Sequence, residues 1–371
     1  MENLTEHLNK LNLQVRRLSQ RLEAELRASV PKMLPQVIAI MLAFAVGAIV
    51  LLLTGYNPLE AYGAMLVGAF GDVFGIGQTF VQATPIIFTA LAFLFASKCG
   101  LFNIGAEGQL LIGGFFAALV GISFSGLPAF IHIPLALGAG ILGGAMWGFV
   151  PGLLKAKFGA HEVITTMMLS YVALYITSYM VNYPFKAPGW VAQTVLIPPS
   201  AWLPQILPPT QLSLSLVVAV LLVVATHYTL CRTTIGYEVR AIGLNPSAAE
   251  SGGIGIKKGI IVALVISGAM AGLGGAGEVL GVHRRFIEGF SPGYGWDGLA
   301  VALVGGLNPF GILLASVLFG ALRSGGMTMT RTTHVPLDIA SILQALVILF
   351  VAAPMLIKYL MKKGGAKWSN S

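Results

Sequence analysis

Residues 100–121 read GLFNIGAEGQLLIGGFFAALVG, an apolar run interrupted by Asn103, Glu107 and Gln109. An ionisable group near the centre of a bilayer costs on the order of 2.5–3.5 kcal/mol, so its presence marks a solute path or a hydrogen-bonded junction between helices. The setting decides that a bilayer is involved. Of 371 residues, 56% are hydrophobic and 10% charged. A soluble exterior of this size cannot be covered with so few charges. Apolar runs close to the ~20 residues needed to cross a membrane recur along the chain. The fold class is therefore all-α, a polytopic membrane helix bundle of about ten segments. The 46 glycines and 19 prolines suit close helix contacts and broken helices.

The predicted spans are 37–54, 80–97, 102–122, 131–154, 162–182, 212–230, 259–281, a short one at 297–307, then 309–322 and 337–357. With the N-terminus inside, Lys and Arg divide 17 inside to 5 outside, and the C-terminus is also inside. Arg323 and Arg331 fall in outer loops on this reading. The net charge of +8 then reflects membrane orientation, and no nucleic-acid partner is expected. Three regions follow: an N-terminal amphipathic segment over 1–36, a membrane domain over 37–357 and a basic tail over 358–371. Leu4, Leu8, Leu11, Val15, Leu18, Leu22 and Leu26 place an apolar stripe on a helix over 1–30, which fits a surface anchor on membrane lipid or a short coiled coil. No cleavable leader is expected, because the first apolar run starts only near Val37. Cys99 and Cys231 sit at inner loop edges and are expected to stay unpaired.

The pattern around Glu107 occurs twice. Gly105-Ala106-Glu107-Gly108 opens the third span and Gly295-Trp296-Asp297-Gly298 opens the eighth, each ahead of an apolar run with a glycine pair, Gly113-Gly114 and Gly305-Gly306. The two spans run in opposite directions, as in an inverted internal repeat with short or broken helices near the midplane. Asn103 is predicted to cap the helix that Glu107 opens, with the acid complementing the positive helix end. Two roles stand for Glu107 and Asp297: lining a polar solute path, or tying the two halves together. On the first, Asn103, Glu107, Gln109, Tyr294, Trp296, Asp297 and Asn308 are the pathway residues, the amides meeting hydroxyls and the aromatic rings stacking on a base.

A second signal lies in the inner loop 231–258, CRTTIGYEVRAIGLNPSAAESGGIGIKK. Asn245 reads as an N-cap with Pro246 at the first helical position, and Gly252 and Gly253 as the stop. The turn or two between them is either a capped connection or a peg for a partner. No Gly-x4-Gly-Lys-Ser/Thr loop occurs in the chain, so no phosphate-loop ATP site is present. The histidines show no metal-ligand spacing, and no nucleophile elbow or catalytic cluster is visible. His161-Glu162 reads as a helix start, and Asp338 as a first-turn acid on the last helix. An ion-coupled carrier would need titrating acids in a relay, which are too few here.

Four ordered stretches, GYNPLEAYGAMLVGAFG (55–71), FNIGAEGQLLIGGFFAA (102–118), AIGLNPSAAESGGI (241–254) and GYGWDGLAVALVGGLNPFG (293–311), resemble the membrane permeases of bacterial ABC importers for nucleosides and simple sugars. The resemblance implies a multi-pass inner-membrane subunit that is not itself an enzyme and has no cofactor of its own, ATP and Mg being held by a partner. That partner is a cytosolic ATPase with two nucleotide-binding modules. A second permease in a heterodimer and an extracellular substrate-binding lipoprotein complete the set. Arg240, Asn245, Pro246, Ser247, Ala248, Ala249, Glu250, Gly252 and Gly253 take the place of the coupling helix that meets the ATPase. The implied solute is a nucleoside, with a pentose or similar sugar as the alternative.

Overall fold

The computed structural model describes residues 38–336 and 338–352. The amphipathic helix expected over 1–30 and the basic tail over 358–371 lie outside the described residues. The described residues are helical, with isolated bridges but no strand. In chain order the helices are α1 (Ile38–Leu53), α2 (Pro58–Phe70), α3 (Val73–Lys98), α4 (Ala106–Ser123), α5 (Ala129–Phe158), α6 (Glu162–Asn182), α7 (Ser215–Arg232), α8 (Thr234–Leu244), α9 (Pro246–Ser251), α10 (Ile256–Glu278), α11 (Tyr294–Val304), α12 (Pro309–Thr333) and α13 (Asp338–Ala352). A π-helical turn, Val279–His283, extends α10. Seven of these are long and apolar enough to cross a membrane: α3, α4, α5, α6, α7, α10 with its π turn, and α12. The chain is a multi-pass membrane protein.

All ten predicted spans correspond to helices, and the differences are instructive. Helix α12 runs on to Thr333, so Arg323 and Arg331 belong to a helix and not to outer loops. Arg323 could be read as a span boundary because a lone charge ends a hydropathy run; its acid partner, 26 residues earlier on the preceding helix, keeps it inside a helix. Helix α3 starts seven residues earlier than predicted, where Asp72 accepts a hydrogen bond from Gly75 N (2.6 Å) and caps it. Helix α2 has no counterpart among the predicted spans, being too short to cross. Asn57 caps it through Leu59 N, with Pro58 at its first position.

The architecture turns on α3, which is buried along most of its length. A helix apolar on all sides belongs at the centre of a bundle. It packs against α10, α11 and α12, while α10 packs against α3, α4 and α5. This reciprocal pattern pairs α3-α4-α5 with α10-α11-α12. From the start of α4 to the start of α11 the chain crosses five times, so the paired elements run in opposite directions, as an inverted repeat requires.

In lipid, helix association rests on close packing rather than on expulsion of water. Helix α5 presents Gly140, Gly144 and Gly148 at four-residue spacing to Leu264, Gly268 and Gly272 of α10. A Cβ at Gly144 would fall 2.2 Å from the Gly268 carbonyl oxygen, so only glycine allows the two backbones to meet there. On the other half, Gly320 of α12 brings α12 against Thr79 and Ala83 of α3. The two glycine pairs are not equivalent: Gly113 and Gly114 pack on α10, whereas Gly306 has φ 65° in the turn between α11 and α12.

The loop over 183–211 is an ordered cap. Thr194 N and Ile197 N donate to Phe286 O and Arg284 O, and Glu288 N donates to Ala192 O. The Trp202 indole donates to Ile197 O (2.7 Å), with the Arg284 guanidinium 4.1 Å over its ring. Trp190 is fully exposed.

Candidate functional site

The N-termini of α4 and α11 meet beside the middle of α3. After α3 ends, residues 99–105 fold back into the bundle before α4 begins. Here the sequence-based assignment of Asn103 needs correction: the N-cap residue is Gly105, with no side-chain cap. Asn103 Oδ1 accepts from Gly105 N (2.8 Å) in a local turn, while its Nδ2 donates to Gln109 Oε1 (3.0 Å) and Ser267 Oγ (2.7 Å). Ser267 in turn donates to Ala92 O (2.6 Å), which fixes the connector against α3 and α10. An asparagine bonded on both sides in this way braces a non-helical segment in a place without water.

Glu107 does more than complement its own helix. Its Oε2 accepts a 2.6 Å hydrogen bond from Gly295 N, in the first turn of α11. Two positive helix ends thus converge on one buried carboxyl, which satisfies an otherwise orphaned N–H of the opposite repeat. Thr89 of α3 donates to Tyr294 O (2.8 Å), closing the third side. The glycines of the motif permit this contact. A Cβ at Gly295 would stand 2.2 Å from Glu107 N, and one at Gly298 would stand 2.2 Å from Thr89 Oγ1. Gly108 lies against the Ser170 backbone of α6.

Asp297, the acid of the second copy, is engaged differently. Its Oδ2 pairs with Arg323 Nη1 at 2.8 Å, and Arg323 Nη2 donates to Pro292 O (3.0 Å). The guanidinium stands 5.1 Å from the Tyr294 ring centre, and Tyr294 Oη donates to Gln82 Oε1 (3.0 Å). Arg323, Tyr294 and Gln82 line a cavity of about 290 Å³ together with Glu278, His283 and Gln344 among others, Asp297 standing behind Arg323.

Five of the predicted pathway residues therefore form one connected region: Asn103, Gln109, Glu107, Tyr294 and Asp297. Of the five only Tyr294 lines the cavity; Trp296 neighbours them in sequence but is 39% exposed. Asn308 lies apart, capping α12 through Phe310 N (2.9 Å) and Gly311 N. Sequence reasoning passed over Gln82, Glu278 and Gln344. The signal was available for Glu278, an acid inside an apolar run, as at Glu107.

At the end of the bundle where α3 terminates, α9 is a six-residue helix whose N-cap Asn245 accepts from Ala248 N (3.1 Å), with Pro246 at its first position. Gly252 ends it and Gly253 has φ 83°. Ala249 is buried, whereas Ser247, Ala248 and Glu250 face outward beside Leu244, which is 87% exposed. Arg240 Nε donates back to Gly236 O within α8. Gly243 of α8 lies against the Lys98 carbonyl and Gly100, so α8 rests directly on the connector that leads to Asn103.

A family described as the permease component of the branched-chain amino acid transport system matches residues 75–352. The guanosine ABC transporter permease protein NupP of Bacillus subtilis (strain 168) is 40% identical over 343 residues, which covers 91% of this chain and 98% of that protein. The nucleoside ABC transporter permease protein NupB of Lactococcus lactis subsp. cremoris (strain MG1363) is 37% identical over 90% of this chain and 94% of its own length. The glucose ABC transporter permease protein TsgB13 of Haloferax volcanii is 36% identical, covering 89% and 90%. No solved structure matches the chain.

Proposed function

Because the chain belongs to the permease-component family of the branched-chain amino acid transport system, and is thus a permease subunit of an ABC importer, we propose that its solute is a nucleoside. The observation that carries this is the 40% identity to a guanosine permease across nearly the whole of both chains, with a nucleoside permease at 37%. The junction of α4 and α11 suits the role by its place: two short helices begin near the middle of the bundle, as at the solute sites of transporters built from inverted repeats. The pathway residues on this reading are Asn103, Glu107, Gln109, Tyr294 and Asp297. A sugar is the second reading, favoured by the 36% identity to a glucose permease.

The partners in this proposal are a cytosolic ATPase, a second permease and an external binding lipoprotein in a bacterial plasma membrane, with both termini of this chain in the cytoplasm. ATP and Mg are held by the ATPase. Helix α9 with Leu244 is the docking element. A push on α9 passes through α8 to Gly243, from Gly243 to Gly100, and so along the connector to Asn103 and Glu107. The lever is short and made of backbone contacts, which transmit displacement with little slack.

The test is uptake of radiolabelled guanosine and uridine by cells carrying the full transporter set, with and without this subunit, competed by excess glucose or ribose. Uptake that depends on the subunit and resists sugar competition is the expected result. Loss of sugar uptake in place of nucleoside uptake would overturn the solute assignment. Ala248→Arg should abolish copurification of the ATPase while the membrane domain stays folded; normal copurification and uptake would displace α9 as the docking element.

A further inference from the structure

The cavity beside Tyr294 lies between α3, the π turn after α10, the start of α11, α12 and α13, with Gln211 reaching it from the outer cap. Its lining is polar for a space inside a membrane bundle, and two of the polar groups have unused bonding capacity. Glu278 is 3% exposed, and among the described residues its carboxyl accepts no hydrogen bond, His283 Nε2 standing 3.8 Å away. Gln344 Nε2 is buried with no partner among the described residues. A buried amide N–H and a buried carboxyl left without partners are each costly in such a place, so their retention calls for a function. The backbone points the same way, because the residue after Glu278 enters a π turn, a rare feature that is frequent at functional sites.

The charge balance narrows the ligand. Arg323 is the guanidinium on the wall, and it is committed to Asp297 and Pro292 O. No free guanidinium or ammonium remains among the described lining residues to receive a phosphate, and the His283 imidazole faces the Glu278 carboxyl at 3.8 Å. What is on offer is one carboxyl that accepts, amides at Gln82, Gln211 and Gln344 that both donate and accept, the His283 imidazole, the Ser341 hydroxyl, and the rings of Tyr294 and Phe290. A vicinal diol fits this set: two adjacent hydroxyls donate to the two oxygens of Glu278, and a hydroxyl oxygen accepts from Gln344 Nε2. The volume of about 290 Å³ lies near the lower end for small-molecule pockets, enough for one solute of nucleoside size.

We propose that this cavity is a solute site within the permease itself, with Glu278 and Gln344 holding the ribose diol of an unphosphorylated nucleoside. The inference rests on the nucleoside reading above and adds to it where the solute sits and which part of it is read.

The experiment uses the full transporter in membrane vesicles, with Cys231→Ser removing the exposed native thiol and Ser341→Cys placing a probe on the cavity wall. Alkylation of the new thiol is timed with and without uridine, 2′,3′-dideoxyuridine or uridine monophosphate, and uridine uptake is measured on the same vesicles. Uridine is expected to slow labelling at least fivefold, while the dideoxy compound and the monophosphate leave it unchanged. Glu278→Gln should abolish the protection by uridine. Equal protection by the dideoxy compound would overturn the diol assignment, as would protection that survives Glu278→Gln. Intact uptake with no protection would overturn the site alone. Absence of uptake in the parent transporter would remove the nucleoside reading, and the inference with it.

Discussion

Glu107 and Asp297 occupy the same place in two copies of one four-residue motif, yet they are used in opposite ways. Glu107 reaches across to the backbone of the other repeat, at Gly295 N. Asp297 stays within its own half and neutralises Arg323 on the neighbouring helix, both side chains being about one-fifth exposed. What the repeat preserves is the backbone: a short helix beginning inside the bundle, with glycines that admit a neighbour. The acids have diverged, one to a hydrogen bond between halves and the other to an ion pair that holds a cavity wall. A recurring motif therefore locates equivalent positions without assigning them equivalent chemistry.

The comparison can be broken most severely at its backbone. Gly295→Val places a branched side chain where a single Cβ already meets the Glu107 main chain at 2.2 Å, and neither backbone can yield without opening the junction. The expected result is loss of the folded, monodisperse protein in detergent, a destabilisation above about 4 kcal/mol. Recovery of a normal Tm would show that the two half-helices are not rigidly opposed.

Next comes the ion pair. Removing one partner of a fully buried pair costs roughly 3–5 kcal/mol, and the partial exposure here lowers the expectation for Arg323→Ala to about 2–3 kcal/mol. The double variant Asp297→Asn with Arg323→Gln should recover more than half of that loss in thermal unfolding. Additive losses would show that the two groups act independently.

Glu107 should respond to a different chemistry. Glu107→Ala strands the Gly295 N–H inside the bundle at a cost of about 1–2 kcal/mol, while Glu107→Gln keeps an acceptor oxygen in place and should lose less than about 1 kcal/mol. If Gln is as damaging as Ala, the charge on Glu107 matters rather than its bond, and the contrast with Asp297 shrinks.

The smallest effect is expected at a third acid, Glu288, which lies on the outer cap. It accepts from Ser178 Oγ and from Asn182 Nδ2 (3.0 Å), and these bonds hold its carboxyl below the usual glutamate range. A depressed folded value contributes stability that is complete above the unfolded value, about 4.3, and is lost as pH falls through the folded one. Amide exchange at 286–288 should therefore quicken when pH is lowered below about 4, after correction for intrinsic rates, and Glu288→Gln should remove that dependence. Solvent exposure keeps the effect small.

Much of this arrangement is legible in the sequence because membrane helices announce themselves by length and composition. The spans, the repeat and the capped turn of α9 all rest on local signals: apolar runs, glycine spacing, and Asn-Pro followed by Gly-Gly. What escaped was set by distant partners. Arg323 resembles a loop charge until Asp297 is seen beside it, and Asn103 resembles a cap until Ser267 and Gln109 claim its amide. Asn308 had the composition of a solute contact and turned out to serve the start of its own helix. Glu278 was overlooked because no motif surrounds it, although its burial in an apolar run carried the same information as Glu107.

The central position of α3 has a consequence for how the protein is made. Gln82 finds its partner, Tyr294, 212 residues later in the chain, whereas Thr89 can donate to Pro85 O and Ile86 O of its own helix until Tyr294 arrives. At a synthesis rate of roughly 5–20 residues per second, the ribosome needs about 10–40 s to supply it. For that interval the core helix of the finished bundle stands in the bilayer with part of its polar inventory unanswered. The first half of the protein is thus a client for whatever shelters nascent membrane helices, and the emergence of the second Gly-x-acid-Gly motif from the ribosome ends that dependence.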